Sequence, residues 1–160
     1  MEKSITLWVN GQRFTLEVEP HHLLLDVLRE RVGLTGARRG CETGNCGSCT
    51  ILLDGKAVRS CLQLAVRARD RAIQTIEGLS EGEKLHPLQR AFMEKGALEC
   101  GYCTSGMILL AKGLLDENPT PTEEEVRRVL ASNLCRCTGY QKMIQAILAV
   151  ASDTQAQRTR

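Results

Sequence analysis

The chain has 160 residues, of which 42% are hydrophobic and only 3% aromatic, and its formal net charge is +2. This composition supports one ordinary domain or two small ones with an aliphatic core, and it argues against a disordered chain. The near-neutral charge and scarce aromatic residues argue against nucleic-acid binding, and no segment reaches the roughly 20 apolar residues of a membrane-spanning helix. The distinctive feature is the presence of eight cysteines.

The compartment decides how these cysteines are interpreted. The N-terminal residues contain no apolar secretory core and no small-residue cleavage site, so we expect a cytoplasmic protein. In the reducing cytoplasm clustered thiols usually bind metal, whereas disulfides do not persist. Export in a complex that carries a partner's signal is the alternative.

The first 77 residues are predicted to form a small α+β domain. Alternating apolar residues flank Asn10-Gly11, which is typical of a type I′ hairpin turn. A second hairpin is expected over Thr50–Val58, and a short strand over Ala72–Ile76. Apolar residues at helical spacing predict a helix over Leu23–Val32.

The second half is predicted to be helical. A linker over 78–84 precedes a domain over 85–151, and a polar tail over 152–160 is expected to fray or to dock on a partner. Thr122 and Glu125 predict a capping box. Four short helices, which would form a bundle, are expected over 87–95, 105–115, 123–131 and 140–151.

Four cysteines of the first half have the spacing of a plant-type [2Fe–2S] site. They are Cys41, Cys46, Cys49 and Cys61. Three of them lie in a loop whose glycines permit positive φ and close approach, so that backbone amides point at sulfur. These glycines are Gly40, Gly44 and Gly47. A zinc site or inert buried thiols are the alternatives, although zinc sites usually pair their cysteines two by two.

The other four cysteines form two pairs in the helical half. They are Cys100, Cys103, Cys135 and Cys137. Each pair precedes a predicted helix, so two positive helix N-termini would face one negatively charged centre. The spacing alone permits either a zinc site or a metal cluster.

Three motifs carry a resemblance to a known family. They are the loop from Gly40 to Thr50, the segment Glu99–Thr104 and the segment Asn133–Tyr140. The chain resembles the small iron–sulfur subunit of the molybdenum hydroxylases, the family of xanthine dehydrogenase, aldehyde oxidoreductase and 4-hydroxybenzoyl-CoA reductase. The resemblance covers residues 4 to 150, and the last motif is highly specific.

The resemblance implies a fold and an electron relay. The fold would be a β-grasp ferredoxin-like domain followed by a four-helix bundle, each with one [2Fe–2S] cluster. A large partner subunit would bind molybdopterin and perform the chemistry, and a third subunit would bind FAD. Electrons would pass from molybdopterin through the helical cluster and then the plant-type cluster to FAD or another acceptor. The family also implies a dimer of heterotrimers, and pterin contacts near Glu99, Gly101 and Cys137.

Two residues depart from the family pattern. Glu99 stands where Gln is usual, and an ionised carboxylate only accepts hydrogen bonds whereas an amide also donates them. An ordinary surface position is the alternative for Glu99. Ser105 replaces a usual proline at a predicted helix start, where serine is well tolerated. Tyr102 and Tyr140 either pack over the helical cluster or fill the core.

Two other functional classes remain open from the sequence. A stand-alone two-cluster ferredoxin is one, although near-neutral charge favours a permanent interface over a charge-steered encounter. A zinc-binding structural module is the other. The substrate of the complex would be selected by the large subunit.

Overall fold

The structure, a computed structural model, describes residues 2–158. Its first half is built on a mixed five-stranded sheet with the strand order β2-β1-β5-β3-β4. β1 pairs antiparallel with β2 and parallel with β5, and β3 pairs antiparallel with β4 and β5. The strands are β1 (Lys3–Val9), β2 (Gln12–Val18), β3 (Thr50–Leu53), β4 (Lys56–Arg59) and β5 (Ala72–Gln74).

Both predicted hairpins are confirmed, and the backbone conformation of their turns explains why the chain reverses there. Asn10 and Gly11 have φ of 51° and 78°, and Asp54 and Gly55 have φ of 49° and 79°. Two successive positive φ values define the type I′ turn, whose twist matches that of the flanking strands.

The helix predicted over Leu23–Val32 is irregular in the structure. It consists of a short α1 (Leu24–Asp26) that continues as a π-helical segment over Val27–Arg31. Its inner face, including Leu24 and Leu28, is fully buried in the core beneath the sheet. The wider π-helical turn is the difference from the regular helix that apolar spacing predicts.

Four helices of the second half share a second apolar core, which includes Leu88, Phe92, Met107 and Met143. In the described part of the chain no helix is long and apolar enough to span a bilayer. The Thr122–Glu125 capping box is confirmed. The helices are α2 (Pro87–Glu94), α3 (Thr104–Glu117), α4 (Glu123–Leu130) and α5 (Gln141–Arg158).

The predicted fraying of the tail is wrong for residues 152–158, which continue α5. Ser152 and Thr154 donate their hydroxyls to the carbonyls of Leu148 and Val150, as helical serine and threonine side chains often do. A polar sequence is compatible with a helix whose outer face is exposed. Residues 159 and 160 lie outside the described chain.

α3 brings the two halves together. The strand β3 is buried on both faces, with Ile51 and Leu53 in the sheet core, whereas Leu52 faces the other way. A Cβ built on Gly113 of α3 would contact Leu52 at 3.4 Å, so the helix lies directly against this strand. Within the segment predicted as a linker, Leu79 is buried in the helical core, whereas residues 81–84 are exposed.

Candidate metal centres

The loop before β3 brings the first four cysteines together. Cys41 Sγ accepts hydrogen bonds from the backbone amides of Thr43 at 3.4 Å and Cys46 at 3.3 Å. The thiol of Cys61, on the turn after β4, interacts with those of Cys49 and Cys41. The loop therefore points amide donors and thiols at one place, as a thiolate-bound metal centre requires.

The three loop glycines serve different purposes. Gly44 and Gly47 have φ of 80° and 78°, as predicted. The prediction of a positive φ is wrong for Gly40, because its φ is not positive. Gly40 instead lets the backbone lie close to a cysteine sulfur. A Cβ on Gly40 would come within 2.8 Å of Cys46 Sγ. The loop also makes a left-handed turn at Glu42, with φ 57°, which the glycine pattern did not reveal.

Two thiols of the first set, Cys41 and Cys61, differ in how readily they ionise. Hydrogen bonds from the Thr43 side chain and from the Cys46 and Thr43 amides lower the pKa of Cys41 to about 6. Burial, followed by the neighbouring thiol of Cys49, raises the pKa of Cys61 to about 11. Close thiols oppose one another's ionisation, so four thiolates need a cationic centre between them.

The second four cysteines also converge, at the end of the helical half. Cys137 Sγ lies 3.7 Å from Cys100 Sγ, and the thiol of Cys103 interacts with those of Cys135 and Cys100. Cys103 is the N-cap of α3, whereas three residues separate Cys137 from α5. The helix N-terminus therefore lies closer to the cysteines in the first pair than in the second.

Burial and hydrogen bonds distribute charge within this second set. Burial and the neighbouring Cys135 thiol raise the pKa of Cys103 to about 12. Burial also acts on Cys135, but hydrogen bonds from the Thr138 hydroxyl and amide outweigh it and lower the pKa of Cys135. The Cys100 thiol raises the pKa of Cys137. Thr138 is a polar partner that the cysteine spacing did not identify.

The two sets are joined by a direct backbone contact. The N–H of Leu134 donates to the carbonyl of Cys46 at 2.8 Å, so a residue of the first set bonds the neighbour of Cys135. Asn133 is fully buried beside Gly47, where an added Cβ would lie 2.8 Å from the Asn133 side chain. Arg59 Nη2 also donates to the carbonyl of Ser132.

Hydroxyl groups at the start of α3 add two bonds between the halves. Ser105 Oγ donates to the Gly36 carbonyl at 2.6 Å, and Tyr102 Oη donates to the Arg39 carbonyl at 2.6 Å. Ser105 is thus an interface residue as well as a helix-start residue. The sequence alone did not reveal this role.

The residues predicted to lie near a pterin are all on the outer surface of the second set. Glu99, Gly101 and Cys137 are exposed. Within residues 2–158, Glu99 makes no hydrogen bond or ion pair. These residues, with exposed Cys100, leave one edge of the set open to a partner.

A histidine-rich turn lies outside both cysteine sets. Glu19, His21 and His22 are close together at the turn after β2. His21 pairs with the Glu19 carboxylate at 3.3 Å, and His22 Nδ1 accepts from the Glu19 amide at 3.2 Å. These two contacts account for the close approach of Glu19, His21 and His22.

The donor sets fit iron–sulfur clusters. Each set supplies four convergent sulfurs, and in each set backbone amides approach a sulfur that has a lowered pKa. Thiolates with amide hydrogen bonds are the protein ligands that [2Fe–2S] clusters use.

Comparison with known proteins points in the same direction. A family model described as "2Fe-2S iron-sulfur cluster binding domain" matches residues 7–80, and one described as "[2Fe-2S] binding domain" matches residues 75–148. Together these models span both cysteine sets.

Two relatives of known name are small subunits, one of a hydroxylase and one of a dehydrogenase. The chain is 53% identical over 144 residues to the nicotine 6-hydroxylase small subunit of Paenarthrobacter nicotinovorans, covering 90% of this chain and 87% of the relative. It is 49% identical over 144 residues to the nicotinate dehydrogenase small FeS subunit of Eubacterium barkeri, covering 90% and 92%.

A solved structure extends the likeness to the whole fold. A chain of quinoline 2-oxidoreductase from Pseudomonas putida 86 matches with a TM-score of 0.92 and 52% identity, covering 97% of both chains. The ferredoxin-like assignment of the first half is thereby confirmed. The protein belongs to the molybdenum hydroxylase family, as a [2Fe–2S] iron–sulfur subunit that is a non-catalytic part of an oxidoreductase.

Proposed function

We propose that this chain carries two [2Fe–2S] clusters and relays electrons between molybdopterin on a large partner subunit and FAD on a third subunit. One cluster would be held by Cys41, Cys46, Cys49 and Cys61 in the ferredoxin-like half. The other would be held by Cys100, Cys103, Cys135 and Cys137 in the helical half, which we describe as a four-helix bundle. We place the complex in the cytoplasm as a dimer of heterotrimers.

One observation carries the relay: the 2.8 Å hydrogen bond from Leu134 N–H to the Cys46 carbonyl. Cys46 belongs to one set of thiols, and Leu134 is covalently bonded to Cys135 of the other. A short covalent path interrupted by a single hydrogen bond therefore connects the two sets.

The clusters, when bound, would supply one-electron redox chemistry. The chain's own residues hold and tune them. Buried Cys49, Cys61 and Cys103 exclude water from one side of each set. Amides of Thr43 and Cys46, together with Thr138, direct positive dipoles at Cys41 and Cys135. Such bonds favour the more negatively charged, reduced form of a cluster.

The open edge of the helical set supports a permanent partner there. Leu98 and Leu134 are exposed by 39% and 57% beside exposed Cys100 and Cys137. Exposed apolar side chains around an exposed thiol pair are typical of an interface core. We assign this face to the molybdopterin subunit, with Glu99 and Gly101 at the contact.

The test is electron paramagnetic resonance of the dithionite-reduced complex, with analysis of iron, sulfide, zinc, molybdenum and flavin. Two distinct [2Fe–2S] signals in a preparation that also contains molybdenum and FAD are expected. Cys137→Ser should remove the helical signal selectively, and Cys41→Ser the other.

The alternatives predict different compositions. One iron–sulfur signal with stoichiometric zinc would mean that one set is a structural zinc site, and the relay would be wrong. A chain with both signals that purifies without a large subunit would instead be a stand-alone ferredoxin.

A further inference from the structure

Tyr140 has an unusual backbone conformation for an aromatic residue. Its φ is 68°, and it directly follows Gly139 at φ 63°. Bulky residues rarely adopt this left-handed region, and they remain there only where surrounding contacts hold them. The turn leads into α5, whose Ile144 N–H donates to the Tyr140 carbonyl at 3.0 Å. The contacts of the half-buried Tyr140 side chain therefore hold this turn in its left-handed conformation.

The Tyr140 hydroxyl bonds both ends of a three-residue segment. It accepts a hydrogen bond from the backbone N–H of Cys135 at 2.8 Å and donates to the carbonyl of Asn133 at 3.3 Å. A hydroxyl can accept and donate at once, and such chained bonds reinforce each other. One oxygen atom thus fixes the segment Asn133–Cys135 from the side of α5.

The same segment makes the contact between the two thiol sets through Leu134 N–H and the Cys46 carbonyl. The Asn133 side chain does not contribute hydrogen bonds, since its amide nitrogen and oxygen are buried and unpaired within residues 2–158. The segment is consequently held through its backbone, by the carbonyls of Leu130 and Cys46 and by the Tyr140 hydroxyl.

We propose that Tyr140 is a positioning residue that sets the reduction potential of the helical cluster. This rests on the proposed function, in which Cys135 is a ligand of that cluster. The N–H of Cys135 is engaged by the Tyr140 oxygen and is therefore not donated to sulfur. Without the hydroxyl this part-buried N–H loses its acceptor, and we infer that it would bond a sulfur of the set, in which the Cys103 and Cys135 thiols already interact. Each added N–H···S bond stabilises the reduced cluster and raises its potential.

The test is Tyr140→Phe in the assembled complex, since phenylalanine keeps the ring and removes only the hydroxyl. A redox titration followed by electron paramagnetic resonance should show an upward shift of the midpoint and an altered line shape for the helical signal. The signal of the ferredoxin-like half and the iron content should remain unchanged.

Tyr102→Phe is the matched control, because these are the only two tyrosines in the chain. The Tyr102 hydroxyl donates to the Arg39 carbonyl in the other half, so its loss should leave the helical midpoint unchanged. If Tyr140→Phe fails to retain iron, a ring-fluorinated tyrosine at position 140 decides the question. Fluorination weakens the oxygen as an acceptor but keeps the hydroxyl, so a smaller upward shift is expected.

Two results distinguish a failure of the Tyr140 proposal from a failure of the proposed function. The positioning role alone would be overturned if the fully loaded Tyr140→Phe complex kept the wild-type midpoint and line shape. If that variant loses iron, the same result for the fluorinated form would overturn it. A wild-type complex with one iron–sulfur signal and zinc would overturn the proposed function beneath it.

Discussion

Glu99 is an exposed carboxylate next to a proposed cluster ligand. Its side chain is exposed at the open edge of the helical set, one residue before Cys100. An ionised carboxylate adds negative charge beside a cluster that gains negative charge on reduction, so it should favour the oxidised form.

We expect Glu99→Gln to raise the midpoint potential of the helical cluster while leaving the iron content intact. The amide is nearly the same size, so the change isolates the charge. Redox titration of the complex measures the shift. Glu94→Gln, at an exposed position on α2, is the control for charge alone. An unchanged midpoint would mean that Glu99 is an ordinary surface residue with no effect on the cluster.

Gly47 combines a positive φ of 78° with a close approach to Asn133. Gly47→Ala should destabilise the fold by about 1 kcal/mol from the left-handed backbone. A further ~1–3 kcal/mol should come from the collision with Asn133, because the site is already packed. Urea unfolding measures the loss, and Gly55→Ala is the control.

Gly55 has a φ of 79° with nothing within 4 Å of its built Cβ. The control therefore carries the same backbone strain without the collision. Equal losses for the two variants would show that the contact between Gly47 and Asn133 relaxes without cost.

The elements that the sequence predicted well are those that depend on neighbouring residues. The Asn10-Gly11 turn and the Thr122–Glu125 capping box are local, and both are confirmed. The parallel pairing of β1 with β5 joins residues such as Trp8 and Ala72, and no local pattern reports such a contact. The bonds of Ser105 and Tyr140 were missed for the same reason, since they depend on packing between distant segments.

α2 begins with a capping box that depends on a titratable group. His86 Nδ1 accepts from Leu88 N–H at 3.2 Å, while Gln89 Oε1 accepts from His86 N–H at 2.8 Å. Burial, and then the nearby charge of Lys112, lowers the pKa of His86 from its ordinary value of 6.5. Asp116 and Glu81 oppose this shift without cancelling it.

The unfolded chain therefore binds a proton at His86 before the folded chain does. The cap's stabilisation is present above about pH 6.5, and it is lost as the pH falls through the lower pKa of the folded state. His86→Asn keeps a capping side chain that does not titrate. Urea midpoints measured from pH 8 to 5 should fall more steeply for the wild type than for the variant. Parallel curves would contradict the linkage.

At the scale of the whole molecule, the two halves are in direct contact, because α3 packs on β3 and polar bonds cross the boundary. Gly36 illustrates the crossing, since its carbonyl accepts from Ser105 of α3, while its N–H is held within its own half by the carboxylate of Glu77 at 2.6 Å. The cysteine spacing predicted a metal-binding set of thiols in each half, but it carried no information about the surface at which the two halves meet.

Ser105→Ala should lower the stability of the molecule by about 1 kcal/mol, because a part-buried hydrogen bond is lost and the Gly36 carbonyl is left unpaired. The urea midpoint should decrease with an unchanged slope. Ser152→Ala is the control, since that exposed hydroxyl bonds only the backbone of its own helix and alanine favours helices. A Ser105→Ala midpoint equal to that of the control would exclude this bond as a stabilising link.

The uneven burial of the cysteines has a consequence for the life of the molecule before assembly. Cys49 and Cys61 are buried in the ferredoxin-like half, whereas Cys100 and Cys137 are exposed in the described chain. In a subunit separated from its partners, a chelator or dissolved oxygen should therefore destroy the helical cluster first, and the large subunit should slow this loss. In the proposed complex, binding to the large subunit would therefore have to precede the loss of the helical cluster.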